Sequence, residues 1–148
     1  MRCIYGGNYD SIGLMIAGYF NKNTGFPVTG PFAALALLKD NKMVAEAILN
    51  DYTGANIEIH LHSPKVFNKQ IILDIYKQVF VINKCIRLTA KPFPDNERLS
   101  RLLPRLGFQY EFTQEKYYLH GDKYIDAKVY KLAKENVPKW VIKSAKAS

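Results

Sequence analysis

Cysteine is scarce in this 148-residue chain, where Cys3 and Cys85 are the only two. Two cysteines make neither a disulfide scaffold nor, by themselves, a zinc site, so a reducing cytoplasm is the expected compartment. Long apolar runs are also missing. Nothing approaches the roughly 18 residues of a membrane-spanning helix, and the opening MRCIYGGNYD has no signal-peptide pattern. No membrane role is expected. There is no internal repeat, Gly/Ser linker or low-complexity tract. These absences exclude disordered and collagen-like classes and leave a single domain over 1–135 with a basic tail over 136–148.

Positive charge is plentiful. The 21 Lys and Arg against 13 Asp and Glu give a net charge of +8. Such an excess suits an anionic partner, whether a phosphorylated cofactor, a nucleic acid or an acidic protein. It is spread along the chain and is densest over 98–105 and 131–146. A solubilising surface accounts for it equally well. Nucleic acid is not the expected partner, because no stacking motif or basic helix accompanies the charge and the ten tyrosines.

The clearest local signal is the alternation in ANIEIHLH (55–62). It sets Ile57, Ile59 and Leu61 on one face of a strand and Glu58, His60 and His62 on the other. Upstream, MRCIY (1–5) predicts a short strand ended by Gly6 and Gly7, and Asp10 or Ser11 caps a helix over 12–20. NKNTGFPVTGP (21–31) predicts a loop. FAALALLKD and KMVAEAILNDY, either side of Asp40-Asn41, predict a hairpin, although their alanines also suit a helix. Downstream, Asn68 caps a helix carrying Ile71, Ile75 and Val79 in one stripe and Ile72, Tyr76 and Phe80 in the next. CIRLTA (85–90) predicts a strand. Asp95 or Asn96 then caps a second helix that Gly107 ends and Pro104 kinks or shortens. Two strands around His120-Gly121-Asp122 follow, then a tail with the only tryptophan, Trp140. The order β–α–β–β–β–α–β–α–β–β predicts an α/β (α+β) fold. Its mixed, mostly antiparallel sheet has a parallel pair at the centre and helices on both faces.

Three segments carry a family resemblance. NERLSRLLPRLGF (96–108) resembles the closing helix of the GNAT acyltransferase superfamily, with Asn96, Leu102, Gly107 and Phe108 at matching spacings. EFTQEKYYLHGDKYIDAKVYKLAKE (111–135) is similar to the hairpin that follows it. DYTGANIEIHLH (51–62) is similar to phage and prophage members, which often place Thr-Gly-Ala-Asn-Ile before this strand. Together they span about residues 32–135, in the family's order. The resemblance implies an acyl-CoA-dependent N-acyltransferase, with acetyl-CoA as cofactor and an amine, a protein amine among the options, as acceptor. It implies a cytoplasmic protein, in the host cytoplasm if phage-encoded, and either a monomer or a homodimer. A catalytically weak or inactive GNAT-fold protein that binds a host or phage partner is the alternative, and a nucleic-acid-binding protein the second alternative. Two departures from the family pattern favour the weak or inactive reading. HSPKVFNKQII (62–72) has no glycine where members usually carry a Gly-rich pyrophosphate loop. Leu103 stands where many have a tyrosine that protonates the departing thiolate.

Candidate site residues follow from chemistry and resemblance together. A helix N-terminus presents unpaired N–H groups and favours anions, so Lys65, Asn68, Lys69 and Gln70 are expected at the pyrophosphate. The same residues also suit an ordinary capped helix with solvated lysines. Backbone groups near Leu61 and His62 are expected to hold the pantetheine, in a splay between the strands at 55–62 and 85–91. The resemblance adds Asn96 near the pantetheine arm. An amine acceptor with a pKa near 10.4 must lose a proton before it attacks. His60 is the expected base, with Glu58 acting directly or through water. A solvated polar face, or a His-x-His metal site with Glu58 as third ligand, are the competing readings of that row; no metal is the expectation. Tyr117, Tyr118 and Tyr124 are expected either to line an acceptor pocket, where one could replace the missing acid, or to pack across the hairpin.

Overall fold

In the computed structural model, which describes residues 1–63, 68–93 and 96–147, β1 (Arg2–Gly7), α1 (Ser11–Thr24), β2 (Phe32–Lys39), β3 (Lys42–Asn50) and β4 (Asn56–His62) follow in order. Then come α2 (Lys69–Tyr76), which runs on as a π-helical stretch over Lys77–Ile82, β5 (Arg87–Ala90), α3 (Glu97–Arg105), β6 (Gln109–His120), β7 (Lys123–Ala133) and α4 (Lys139–Ala147). The strands form one sheet in the order β1-β2-β3-β4-β5-β7-β6. Only β4 and β5 run parallel. The mixed sheet with its central parallel pair is the predicted architecture.

The alanine-rich segments are strands because of what covers them. Asp40 and Asn41 both have positive φ, 53° and 60°, the geometry of a tight hairpin turn. On one face α1 lays Ile16, Ala17 and Phe20 against Ala34, Ala36 and Ile48. Small side chains under the helix let it approach the sheet closely. At its start the approach is closest: a methyl group on Gly13 would overlap the Gly7 carbonyl. Gly6, Gly7 and Gly13 are therefore a contact between strand and helix as well as a strand terminus. Asp10 caps the helix by accepting from Gly13 N at 2.6 Å. The helix runs to Thr24, four residues beyond the predicted end, because its left-handed stop is Gly25 at φ 74°.

The other face carries α2, α3 and α4. Ile71, Ile75, Val79, Leu103, Leu106 and Val141 pack with Leu37, Leu49 and Ile57 into the main core. The predicted helix after Asn68 ends its α-helical part at Tyr76 and widens into the π turn. Cys85 is buried, and the strand begins two residues later than predicted, at Arg87. Pro104 lies in the last turn of α3, which stops at Arg105. Gly107 follows at φ 94°, pressed against Asn136. The tail segment forms a helix. Val141 of α4 is buried, and Trp140 packs beside the core with Lys69 Nζ 5.5 Å from its ring centroid. Among the described residues no helix is long and apolar enough to cross a membrane.

Candidate active site

The parallel pairing of β4 with β5 begins at Asn56 opposite Arg87 and ends at Ile59 opposite Ala90. Beyond it, His60, Leu61 and His62 keep β3 on one side, with Glu46 opposite His62. On the other side β5 has stopped, and the chain turns away through Lys91, Pro92 and Phe93. The two strands thus part, and a cavity of about 340 Å³ opens between them. Its walls reach both faces of the sheet. Phe20, Phe26, His60 and Tyr118 line it on the α1 side, and Ile72, Tyr76, Leu103 and Leu106 on the opposite side.

The polar row of β4 divides among three sets of partners. His62 Nδ1 meets Glu46 Oε2 at 2.9 Å, and Asn23 Nδ2 donates to Glu46 Oε1 at 2.6 Å. Glu46 is 1% exposed, so these contacts satisfy a carboxylate that would otherwise be costly to bury. His60 Nε2 bonds Asn50 Oδ1 at 3.1 Å, and the ring stacks on Phe26 at 4.5 Å between centroids. Burial pushes the His60 pKa down to about 4, so the imidazole is neutral at physiological pH. Glu58 faces Lys91, with Nζ 3.0 Å from Oε1. The two groups lie at ion-pair distance without an aligned hydrogen bond, since Oε1 accepts none among the described residues. Burial, with the Asp51 carboxyl beside it, pushes Glu58 up to about 7 against the opposing pull of Lys91. The row is therefore not a solvated face. Among the described residues no group of three His, Cys, Asp or Glu is placed to hold a metal.

Lys91 also donates to Tyr117 Oη at 3.0 Å. Burial depresses the ammonium's pKa, but the Tyr117 and Glu58 contacts outweigh it and the net shift is upward. Tyr118 Oη donates to the Lys91 carbonyl at 2.7 Å, and burial raises its pKa. Tyr118 thus reaches the cavity; Tyr124 is exposed at the hairpin tip.

The expected cofactor residues have partners of their own. Lys65 lies outside the described residues. Asn68 caps α2, accepting from Gln70 N at 2.7 Å. Gln70 Nε2 donates to both carboxylate oxygens of Asp74, and Lys69 lies over Trp140. Asn96 caps α3 through Leu99 N at 3.1 Å and also lines the cavity, beside Arg98, whose Nη1 donates to the Ser63 carbonyl. Leu61 and His62 both line the cavity, at the splay. Sequence reasoning missed Lys91, Arg98, Phe26 and Asn50. Lys91 had a legible cue, since it follows the last β5 residue and shares the strand alternation with Thr89, the register partner of Glu58.

A seven-stranded sheet with one parallel pair, parting after its fourth register position into a cavity that reaches both faces, is a distinctive arrangement. It superimposes on a variant of the spermidine N-acetyltransferase from Vibrio cholerae with a TM-score of 0.71, at 13% identity, over 88% of this chain and 94% of that one. The fold is that of the GNAT acetyltransferases. A ribosomal-protein alanine N-acetyltransferase from Escherichia coli matches with a TM-score of 0.62, at 16% identity, over 89% of this chain and 94% of that one. A GNAT-family acetyltransferase from Bacillus anthracis matches with 0.57, at 25% identity, over 80% and 72%. No protein-family model and no curated protein matches the chain.

Proposed function

We propose that this GNAT-fold chain is an acyl-CoA-dependent N-acyltransferase that passes an acyl group, acetyl by preference, directly to an amine. The observation that carries the proposal is the splay after Ile59 and Ala90. A pantetheine arm is an extended, amide-bearing chain, and an unpaired strand edge offers it the hydrogen bonds of a missing strand. Among the described residues the backbone of His60–His62 pairs with no strand on the β5 side, and the cavity beside it has room for the arm's end. Bound acetyl-CoA supplies an activated acyl group. The N-terminus of α2, with Lys69, is the proposed pyrophosphate end; there Asn68 already occupies one amide, leaving fewer free donors than a Gly-rich loop has. Asn96 and Arg98 flank the entrance from the α3 side.

The residues on the α1 side handle the proton. Glu58 is the better base of the proposed pair, because a carboxylate titrating near 7 matches the optimum for general base catalysis near neutral pH. His60, held at a low pKa by burial, is a wall and positioning group, set by Asn50 and Phe26. The opposite side has the apolar wall of Leu103, with Tyr76 beside it. Two tyrosine hydroxyls border the cavity as acid candidates, Tyr118, tied to the Lys91 carbonyl, and Tyr76, tied to the Leu106 carbonyl. No acyl-enzyme intermediate is needed. The test is thiol release from acetyl-CoA in the presence of a panel of small amines and lysine peptides. Amine-dependent release is expected, and release no faster than without protein would overturn the proposal.

A second reading, a GNAT-fold protein that binds a macromolecular partner without turnover, is favoured by the glycine-free start of α2 and by Leu103. Saturable acetyl-CoA binding without amine-dependent release would support it.

A further inference from the structure

Lys91 borders the cavity at the parting of β4 and β5. It is the first residue beyond β5 and lies on the same side of the sheet as Thr89, the register partner of Glu58. Its side chain is 14% exposed, although lysines normally extend their ammonium into water. The amine turns inward instead. It lies 3.0 Å from Glu58 Oε1, donates to Tyr117 Oη and sits 4.4 Å from the Tyr117 ring centroid. Lys91 is one of the residues that border the cavity, with His60 and Leu61, where β4 and β5 part.

We propose that Lys91 Nζ is an acyl acceptor within the chain, so that the protein acylates itself at this position from a bound acyl thioester. The inference rests on the acyltransferase reading. Transfer to any amine requires a primary nitrogen beside a base and within reach of the thioester; Lys91 supplies the nitrogen, Glu58 the base, and the residue borders the cavity. Glu58 takes a proton from the Lys91 ammonium. The neutral nitrogen attacks the thioester carbonyl carbon; the C–N bond forms and the C–S bond breaks. The nitrogen's second proton passes to the departing thiolate, giving the free thiol, and Glu58 releases its own proton to solvent. The products are an amide at Lys91, a thiol and one proton, with no redox change. The positive charge opposite Glu58 is lost.

The full chain is incubated with isotope-labelled acetyl-CoA, and acetylation is mapped by peptide mass spectrometry over time. Lys91 is expected to label at least about tenfold faster than the exposed Lys42 and Lys123. Its rate should be independent of protein concentration and should fall by about tenfold or more in Glu58→Gln. The concentration test needs no variant, so it stands even if Glu58→Gln folds poorly. Lys91 labelling at the pace of exposed lysines, unaffected by Glu58→Gln, would be ordinary chemical acetylation and would overturn the inference. An added amine acetylated while Lys91 stays unlabelled would overturn it and leave the acyltransferase reading intact. Neither donor binding nor acetylation of any amine would remove both.

Discussion

Glu58 and His60 point the same way from β4, two residues apart, and burial drives their pKa values past each other. The carboxyl rises to about 7 and the imidazole falls to about 4. Between those values both groups are uncharged in the folded protein, whereas in the unfolded chain both are largely charged.

This inversion predicts two opposed pH dependences of stability. Glu58 binds its proton more tightly when folded, so its stabilising contribution is full below about pH 4.5 and is lost as pH rises to about 7. His60 binds its proton less tightly when folded, so its contribution is present above about pH 6.5 and is lost as pH falls to about 4. In the wild type the slopes offset each other through the overlap. Glu58→Gln should expose the His60 slope, with stability falling on acidification. His60→Asn should expose the Glu58 slope, with stability falling as pH rises. Each is worth about 2 kcal/mol across its window after allowance for solvent screening. Urea melts at closely spaced pH values would show it; parallel curves for both variants would refute the assignment.

The same carboxyl sets the expected rate profile. With a confirmed acceptor, kcat/KM should climb with pH to a plateau above about 7, on a limb that Glu58→Gln abolishes with a loss of about 10²–10⁴-fold. His60→Ala should cost less and act through loosened packing against Phe26. The reverse order would make His60 the base.

Much of this was legible in ANIEIHLH. Strict alternation put Glu58, His60 and His62 on one face, and the element order placed that strand beside a parallel partner. The choice of base was not legible, because a pKa depends on burial, and the sequence does not show that Phe26 lies on His60 or how deeply Glu58 is buried beside Lys91. The π turn after Tyr76 and the length of α1 were hidden for a similar reason: tertiary packing and one left-handed glycine decide them, not periodicity. The departure at Leu103 was visible as a letter, and the structure adds that it forms part of the cavity wall.

That wall predicts the effect of restoring an aromatic acid. Leu103 is 3% exposed but borders the cavity, so a tyrosine ring has space on one side. Leu103→Tyr should cost about 1–3 kcal/mol of stability and raise kcat on a confirmed acceptor. Thermal melts and turnover should be measured together; a stable variant with unchanged kcat would show that thiolate protonation does not limit the rate.

The contact between β1 and α1 gives a test of the scaffold. Gly13→Ala places a methyl group into the Gly7 carbonyl and should destabilise by at least about 1–3 kcal/mol. Gly18→Ala, which meets nothing within 4 Å, should be neutral or slightly stabilising by helix propensity. Equal melting temperatures for the two would contradict the close approach.

The most direct test of the acyltransferase account is a calorimetric titration of the intact chain with acetyl-CoA, repeated with Ala90→Phe. Ala90 is buried at the parting of the strands and lines the cavity, so the larger ring fills the space proposed for the thioester arm. Saturable binding to the wild type, weakened at least about tenfold in a folded Ala90→Phe, is the predicted result. No heat and no melting shift at millimolar acetyl-CoA, or equal binding by the filled variant, would contradict the placement of the acyl donor between β4 and β5.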